Sequence, residues 1–284
     1  LMLIKKQLLE KRFWRKNKMN KSKKKFKIVT DTSARVILPN MITLIGVCVG
    51  LSSINFALNE NYKLSIIAIL FAAIMDGLDG RIARLIKGTS KVGKELDSLT
   101  DIVSFGVAPA FIMYFWSLNN LGKIGWLLSL IYVVCVALRL ARFNINSGSE
   151  FSWKDNFFEG VPSPAGAILV LSPLIFDVSK LNLFSINYNI FVPIIFIITS
   201  ILLISKIPTF SFKKIVVARS STIFLLFGIV VVFGILLVYP FEILFVGCLI
   251  YLISIPVSIF AFKKIQKKYK VDNEFDEDEP EDVL

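Results

Sequence analysis

The chain contains no histidine. That absence removes imidazole general bases, Ser-His-Asp triads and histidine metal sites together. Only three cysteines are present, Cys48, Cys135 and Cys248, each inside an apolar run. Their spacing matches neither a zinc site nor a disulfide framework, so they are expected to be small buried apolar residues. Charged residues make up 19% of the 284 positions and hydrophobic ones 55%. With a mean hydropathy of +0.69, this excludes a soluble domain of ordinary composition. There is no repeat of fixed period and no low-complexity segment beyond two charged tails.

What the sequence does have is a series of apolar runs that approach or exceed the ~20 residues needed to cross hydrocarbon. Eight spans are predicted, over 38–57, 63–84, 95–117, 122–143, 162–178, 187–205, 220–239 and 242–262, separated by Gly, Asn, Pro and Lys clusters. The fifth is short and opens on Pro162 and Pro164. The fold class read from this pattern is an all-α, multi-pass membrane protein.

The charge is distributed unevenly. The net charge is +12, and residues 1–29 alone hold twelve Lys/Arg against the single acid Glu10. The segment from Asp272 to Leu284 is the reverse, acidic with no base. The basic segment, 1–35, reads as a cytoplasmic arm lying against anionic lipid headgroups, in preference to a nucleic-acid-binding tail, because it abuts the first span. It lacks the apolar core and small-residue cleavage site of a signal peptide, and Met19 offers an alternative start. The loop cations orient the spans. Arg84, Lys87, Lys91 and Lys94 lie on one side. So do Arg139, Arg142 and Lys154, then Lys206, Lys213, Lys214 and Arg219, and finally Lys263 to Lys270. The other side carries only Lys63, Lys123 and Lys180. The positive-inside rule then puts both termini in the cytoplasm, at the inner or plasma membrane if the source is bacterial.

Four aspartates, Asp76, Asp79, Asp97 and Asp101, stand at the cytoplasmic boundary of spans two and three. Carboxylates at a bilayer edge are costly and point to chemistry. At 100° per residue, Asp79, Gly80, Ala83 and Arg84 fall within about 80° of Asp76, while Leu78, Ile82 and Leu85 face the opposite way. Asp97 and Asp101 are i,i+4 and share a face. The short connection makes the two helices an antiparallel pair with their carboxylates opposed. Such a group repels itself unless cations intervene or some members are protonated. Four oxygen donors suit one or two Mg²⁺, Mn²⁺ or Ca²⁺ ions. Gly80 and Ala83 leave room for a ligand, and Arg84 at the rim suits a phosphate. Together these residues describe a metal–pyrophosphate site. Helix-end carboxylates or a fragment of a calcium loop are blander readings. The first leaves Asp76 and Asp79 unexplained near a helix C-terminus, and the second lacks its later acidic positions.

These residues resemble the signature of the CDP-alcohol phosphatidyltransferase family, D-x2-D-G-x2-A-R-x8-G-x3-D-x3-D, at every fixed position from Asp76 to Asp101. Pro39-Asn40-x-x-Thr43 also looks like the family's opening. The resemblance implies transfer from a CDP-linked lipid to an alcohol with release of CMP. It implies Asp76, Asp79 and Asp97 as ligands of a two-ion site of Mg²⁺ or Mn²⁺, with Ca²⁺ as a third option. Asp101 would be the catalytic base and also touch metal. Asn40, Thr43, Asp79, Gly80, Ala83, Arg84 and Gly93 would contact the CDP-lipid. It further implies a homodimer with a six-helix core, so two of the eight spans are extra. On this division, 36–215 is the core, 216–265 holds additional transmembrane helices, and 266–284 is a charged, acidic tail.

The residues after the last aspartate, Ile102-Val-Ser104-Phe105-Gly106-Val-Ala-Pro109, resemble the phosphatidylserine synthase branch of that family. So do Ala137-Leu-Arg139-Leu-Ala-Arg142-Phe143-Asn144 and Gly160-Val-Pro162-Ser-Pro164-Ala. This implies CDP-diacylglycerol and L-serine as substrates, with no nucleic acid as partner and membrane lipids around the protein. Arg139 and Arg142, i,i+3 at the depth of the aspartates, with Asn144, are the candidate serine-binding residues, since an arginine can hold a carboxylate bidentately. The alternative for the two arginines is positive-inside anchoring. Choline remains an alternative acceptor. A cation transporter is a more remote reading, because the acids sit at helix ends and not at mid-depth in broken helices.

Overall fold

The computed structural model describes residues 32–86, 88–146, 157–179, 181, 187–210 and 222–277. The basic arm up to residue 31, Lys87, Lys154, Lys180, Lys213, Lys214 and Arg219, and the side chains of the acidic tail lie outside what it describes.

Each of the eight predicted spans is a helix. α1 is Thr32–Leu58 and α2 is Tyr62–Leu85. α3, Lys91–Asp101, runs through a π-helical segment, Ile102–Val107, into α4, Ala108–Trp116. α5 is Lys123–Asn146, α6 Ser163–Val178 and α7 Tyr188–Ile204. α8, Thr222–Val238, and α9, Pro240–Glu277, follow. Among the described residues, four helices are long and apolar enough to cross a membrane: Val36–Leu58, Lys91–Trp116, Lys123–Ile145 and Pro240–Lys263. α2 has the length but carries Asp76, Asp79, Arg81 and Arg84 in its last turns. α6 and α7 are shorter apolar helices. This is an integral membrane protein.

Small residues set the closest helix contact. α1 and α2 form a hairpin in which Ser53, Ala57, Ser65, Ala68 and Ala72 are buried, and Ser65 Oγ donates to the Ser53 carbonyl at 2.7 Å. Without a hydrophobic drive between helices in lipid, small side chains and such hydrogen bonds hold the pair together. α6 is buried along most of its length, from Gly166 to Phe176, and occupies the centre of the bundle. Outward faces are apolar, as a bilayer requires. On α5 they include Leu127, Ile131, Val134 and Leu138. Cys135 and Cys248 are buried as expected, but Cys48 is exposed on α1 beside Leu44, Ile45 and Leu51. In lipid, outward exposure of an apolar thiol carries no penalty, so burial was the wrong expectation for that residue.

Two features are not anticipated by the hydropathy pattern. One is an antiparallel ribbon between β1, Phe157–Glu159, and β2, Pro208–Phe210, with Phe158 opposite Thr209. It ties the entry of α6 to the exit of α7. The other is the π segment immediately after Asp101, where the Ala108 amide bonds back to the Val103 carbonyl. It is locked to α5 by the buried Tyr132 hydroxyl, which donates to the Phe105 carbonyl at 2.8 Å. π segments are rare and tend to occur beside functional residues.

α9 is not a peripheral addition. Cys248, Ile255 and Ser258 are buried, and with Tyr251 they form an i, i+3, i+7, i+10 stripe facing α6 and β2. Ser258 Oγ donates to the Pro208 carbonyl of β2, and Cys248 and Ile255 belong to the same core as Tyr132 and Phe196.

Candidate active site

The site forms where the N-terminal half of α1, the C-terminal end of α2 and α3 meet. α2 places Asp76 and Asp79 one turn apart. Ser90 caps α3, accepting from the Gly93 amide at 2.9 Å, and so fixes where the turns bearing Asp97 and Asp101 begin. Leu78 and Leu85 point outward, as expected for the face opposite the aspartates, whereas Ile82, expected with them, is half-buried.

Carboxylate oxygens of Asp76, Asp79 and Asp97 all lie within 4.8 Å of one another. Three anions this close are untenable without a cation or protons. The all-oxygen donor set suits a hard divalent ion. Asp101 is outside this triplet, but its Oδ1 is buried and has no hydrogen-bond partner among the described residues. A buried carboxylate oxygen left open is a place for a proton donor or a metal. The residues present therefore fit a divalent metal site.

The cluster has two sides. Asp79 and Asp97 line a cavity of about 490 Å³ together with Pro39, Asn40, Thr43, Gly80 and Gly93. Thr43 Oγ1 stands 2.5 Å from Asp79 Oδ2 and 3.1 Å from the Pro39 carbonyl. Its single proton goes to the carboxylate, the shorter and charge-assisted bond. A Cβ added to Gly80 would meet no atom within 4 Å, so the space above it is open. At Gly93 a Cβ would come within 2.8 Å of Asn40 Oδ1 and 3.0 Å of Ser90 Oγ, so any larger residue there would displace these two side chains. On the other side, Asp76 and Asp101 stand outside the cavity lining and interact electrostatically with Arg139.

The candidate residues divide accordingly. Asn40, Thr43, Asp79, Gly80, Ala83 and Gly93 line the cavity; Arg84 is exposed and does not. Arg139 is buried, its Nη1 donating to Ser163 Oγ at 2.5 Å. Arg142 turns elsewhere, its Nη1 donating to the Ile204 carbonyl at 2.6 Å, the last turn of α7. That carbonyl has no partner within its own helix, so Arg142 acts as a C-cap. Asn144 Nδ2 donates to Ser98 Oγ at 2.8 Å and ties α5 to α3 beside Asp97. Sequence reasoning did not single out Gly88, Thr89, Ser90, Lys91 and Lys94, which complete the cavity wall. The signal for them was the Ser90 cap followed by lysines, a helix start able to receive an anion.

The helical membrane bundle holds its aspartate cluster beside a cavity at one end, and residues 36–265 match the model of the CDP-alcohol phosphatidyltransferases. The chain belongs to that family. Its relatives are more specific. A Mycobacterium leprae protein named CDP-diacylglycerol–serine O-phosphatidyltransferase is 38% identical over 228 residues, covering 78% of this chain and 74% of the relative. A protein of the same name from Helicobacter pylori is 36% identical over 230 residues, 81% of this chain and 94% of that one. Another, from Mycobacterium bovis, is 44% identical over 140 residues, 49% of each chain.

Proposed function

We propose that this protein transfers the phosphatidyl group of CDP-diacylglycerol to the hydroxyl of L-serine, giving phosphatidylserine and CMP. The observation that carries this reading is the two-sided aspartate cluster, with a nucleotide-sized cavity on one side and a buried arginine on the other, in a chain whose relatives carry that name. The cavity formed by Asn40, Thr43, Gly80, Ala83 and Gly93 receives the CDP moiety, and the acyl chains remain in lipid. Asp76, Asp79 and Asp97, with Asp101 beside them, would hold two Mg²⁺ or Mn²⁺ ions, which when bound neutralise the pyrophosphate and the charge developing on the transferred group. Asp101 accepts the proton of the serine hydroxyl. The new bond joins the serine oxygen to the phosphorus that bears the diacylglycerol, and the bond from that phosphorus to the bridging oxygen breaks, so CMP leaves with that oxygen. Arg139 holds the serine carboxylate. The site and both termini face the cytoplasm, and the protein acts as a homodimer.

The test is an acceptor screen on the purified protein with CDP-diacylglycerol and Mg²⁺ or Mn²⁺. CMP release is expected only when L-serine is added; release with choline and not with serine overturns the reading.

The different partners of the two arginines make a second prediction. Arg139→Ala should raise the KM for serine at least tenfold, since a hydrogen-bonded charge partner is worth about 1.5–3 kcal/mol, and leave that for CDP-diacylglycerol nearly unchanged. Arg142→Ala should instead lower the thermal midpoint through loss of about 1 kcal/mol at the end of α7, with both KM values retained. Equal kinetic effects of the two substitutions would contradict this division.

A further inference from the structure

Three side-chain polar atoms are buried without a hydrogen-bond partner among the described residues: Asp101 Oδ1, Arg139 Nε and Tyr251 Oη. They come from three helices, α3, α5 and α9, yet they are not scattered. Arg139 bonds Ser163, three residues after Gly160, whose carbonyl takes the hydroxyl of Thr209 in β2, the strand on which α9 and Tyr251 pack; Arg139 also interacts electrostatically with Asp101 and Tyr251. Buried polar groups in native proteins are nearly always satisfied, so three open ones around a single guanidinium indicate a ligand with matching groups.

The local bonds show what the neighbouring groups are already committed to. Arg139 Nη1 is committed to Ser163 Oγ, which fixes the guanidinium and leaves Nε open. Thr209 lies beside Tyr251 and spends its own proton on the Gly160 carbonyl at 2.8 Å, so toward Tyr251 it can act only as an acceptor. Tyr251 cannot withdraw, because it belongs to the α9 stripe held by Cys248, Ile255 and the Ser258 bond to β2. The open groups are a carboxylate oxygen, a cationic N–H and a phenolic O–H. Their complement is a small molecule presenting a hydroxyl to the carboxylate and an anionic group to the two donors.

We infer that Tyr251 is a specificity-determining residue of the acceptor pocket, its hydroxyl donating with Arg139 Nε to the acceptor's carboxylate while Asp101 receives the acceptor's hydroxyl. This rests on the serine-transfer reading above and adds a residue that lies outside the six-helix core predicted from the sequence. The last apolar helix is thereby part of the active site. An alcohol without a carboxylate gains nothing from Tyr251, so the residue selects for an amino acid over an amino alcohol.

The experiment compares full-length wild type with Tyr251→Phe, which removes only the hydroxyl. Steady-state kinetics are measured with L-serine and with ethanolamine, each with CDP-diacylglycerol. For Tyr251→Phe we expect the KM for serine to rise about tenfold, with kcat within about twofold and the KM for CDP-diacylglycerol unchanged. The ratio of kcat/KM for serine over ethanolamine should fall by the same tenfold. Serine-dependent thermal stabilisation of the protein loaded with CDP, which carries no phosphatidyl group to transfer, supplies a second readout without turnover, and its midpoint should move to correspondingly higher serine. An unchanged serine KM and midpoint overturn the role of Tyr251 and leave the serine-transfer reading standing. A fall in kcat with both acceptors alike also overturns it, in favour of a structural role. Wild type that releases no CMP with serine overturns both.

Discussion

Asp101→Asn should abolish turnover while leaving CDP-diacylglycerol bound. The substitution preserves size and removes the carboxylate proposed to take the acceptor's proton: Asp101 stands on the Arg139 side of the cluster with one buried oxygen open, whereas Asp79 and Asp97 face the nucleotide cavity. A positioned general base contributes about 10²–10⁴-fold, and kcat should fall by that factor. Binding of a labelled CDP-lipid should change by no more than about threefold, since the cavity wall formed by Asn40, Thr43 and Gly93 is untouched. Near-normal CMP release by the purified variant would remove Asp101 from this role.

The second large effect is expected from the triplet. Asp97→Ala leaves Asp76 and Asp79 as the remaining members of a site whose oxygens lie within 4.8 Å. Charge stabilisation by a bound metal is worth several kcal/mol, so activity should drop by about 10³-fold or more. The independent readout is Mn²⁺ binding followed by electron paramagnetic resonance, which should weaken strongly with Asp97→Ala and less with Asp101→Asn, since Asp101 lies outside the triplet. Chelation should silence the wild-type enzyme, and Mg²⁺ or Mn²⁺ should restore it. A variant that binds Mn²⁺ as tightly as wild type would show that the triplet is not the metal site. Thr43→Val is a graded companion. It removes one hydrogen bond to Asp79 and should cost about tenfold or less in kcat/KM.

Much of this was legible along the chain, for a local reason. A span is a run of apolar residues, so eight helices could be bounded from hydropathy alone, including the short α6 that opens after Pro162. A helical face is set by spacing within a few residues. The placement of Asp76, Asp79, Gly80 and Ala83 on one side of α2 therefore needed no tertiary information, and the outward Leu78 and Leu85 agree with it. The same locality explains what was misjudged. A cysteine in an apolar run is buried or lipid-facing with equal ease, and Cys48 faces out. The π segment after Asp101 has no signature in Ile102–Val107 itself, and its bond to Tyr132 of α5 is a contact between distant parts of the chain.

The aspartates, their spacing and their place at a membrane edge were determined by the sequence itself. Each of those properties depends only on helical geometry and the cost of charge near lipid. Tertiary structure decided which group each side chain meets. It sent Arg139 toward Asp101 and Arg142 to the end of α7, although three residues apart on one helix they look interchangeable. It divided four similar carboxylates into a cavity side and an arginine side. It also brought Tyr251, from a helix that hydropathy marks only as a span, to the guanidinium beside Asp101. Those pairings are settled by the packing of distant helices around α6, where a buried polar atom must find a partner or await a ligand, and no local pattern encodes that choice.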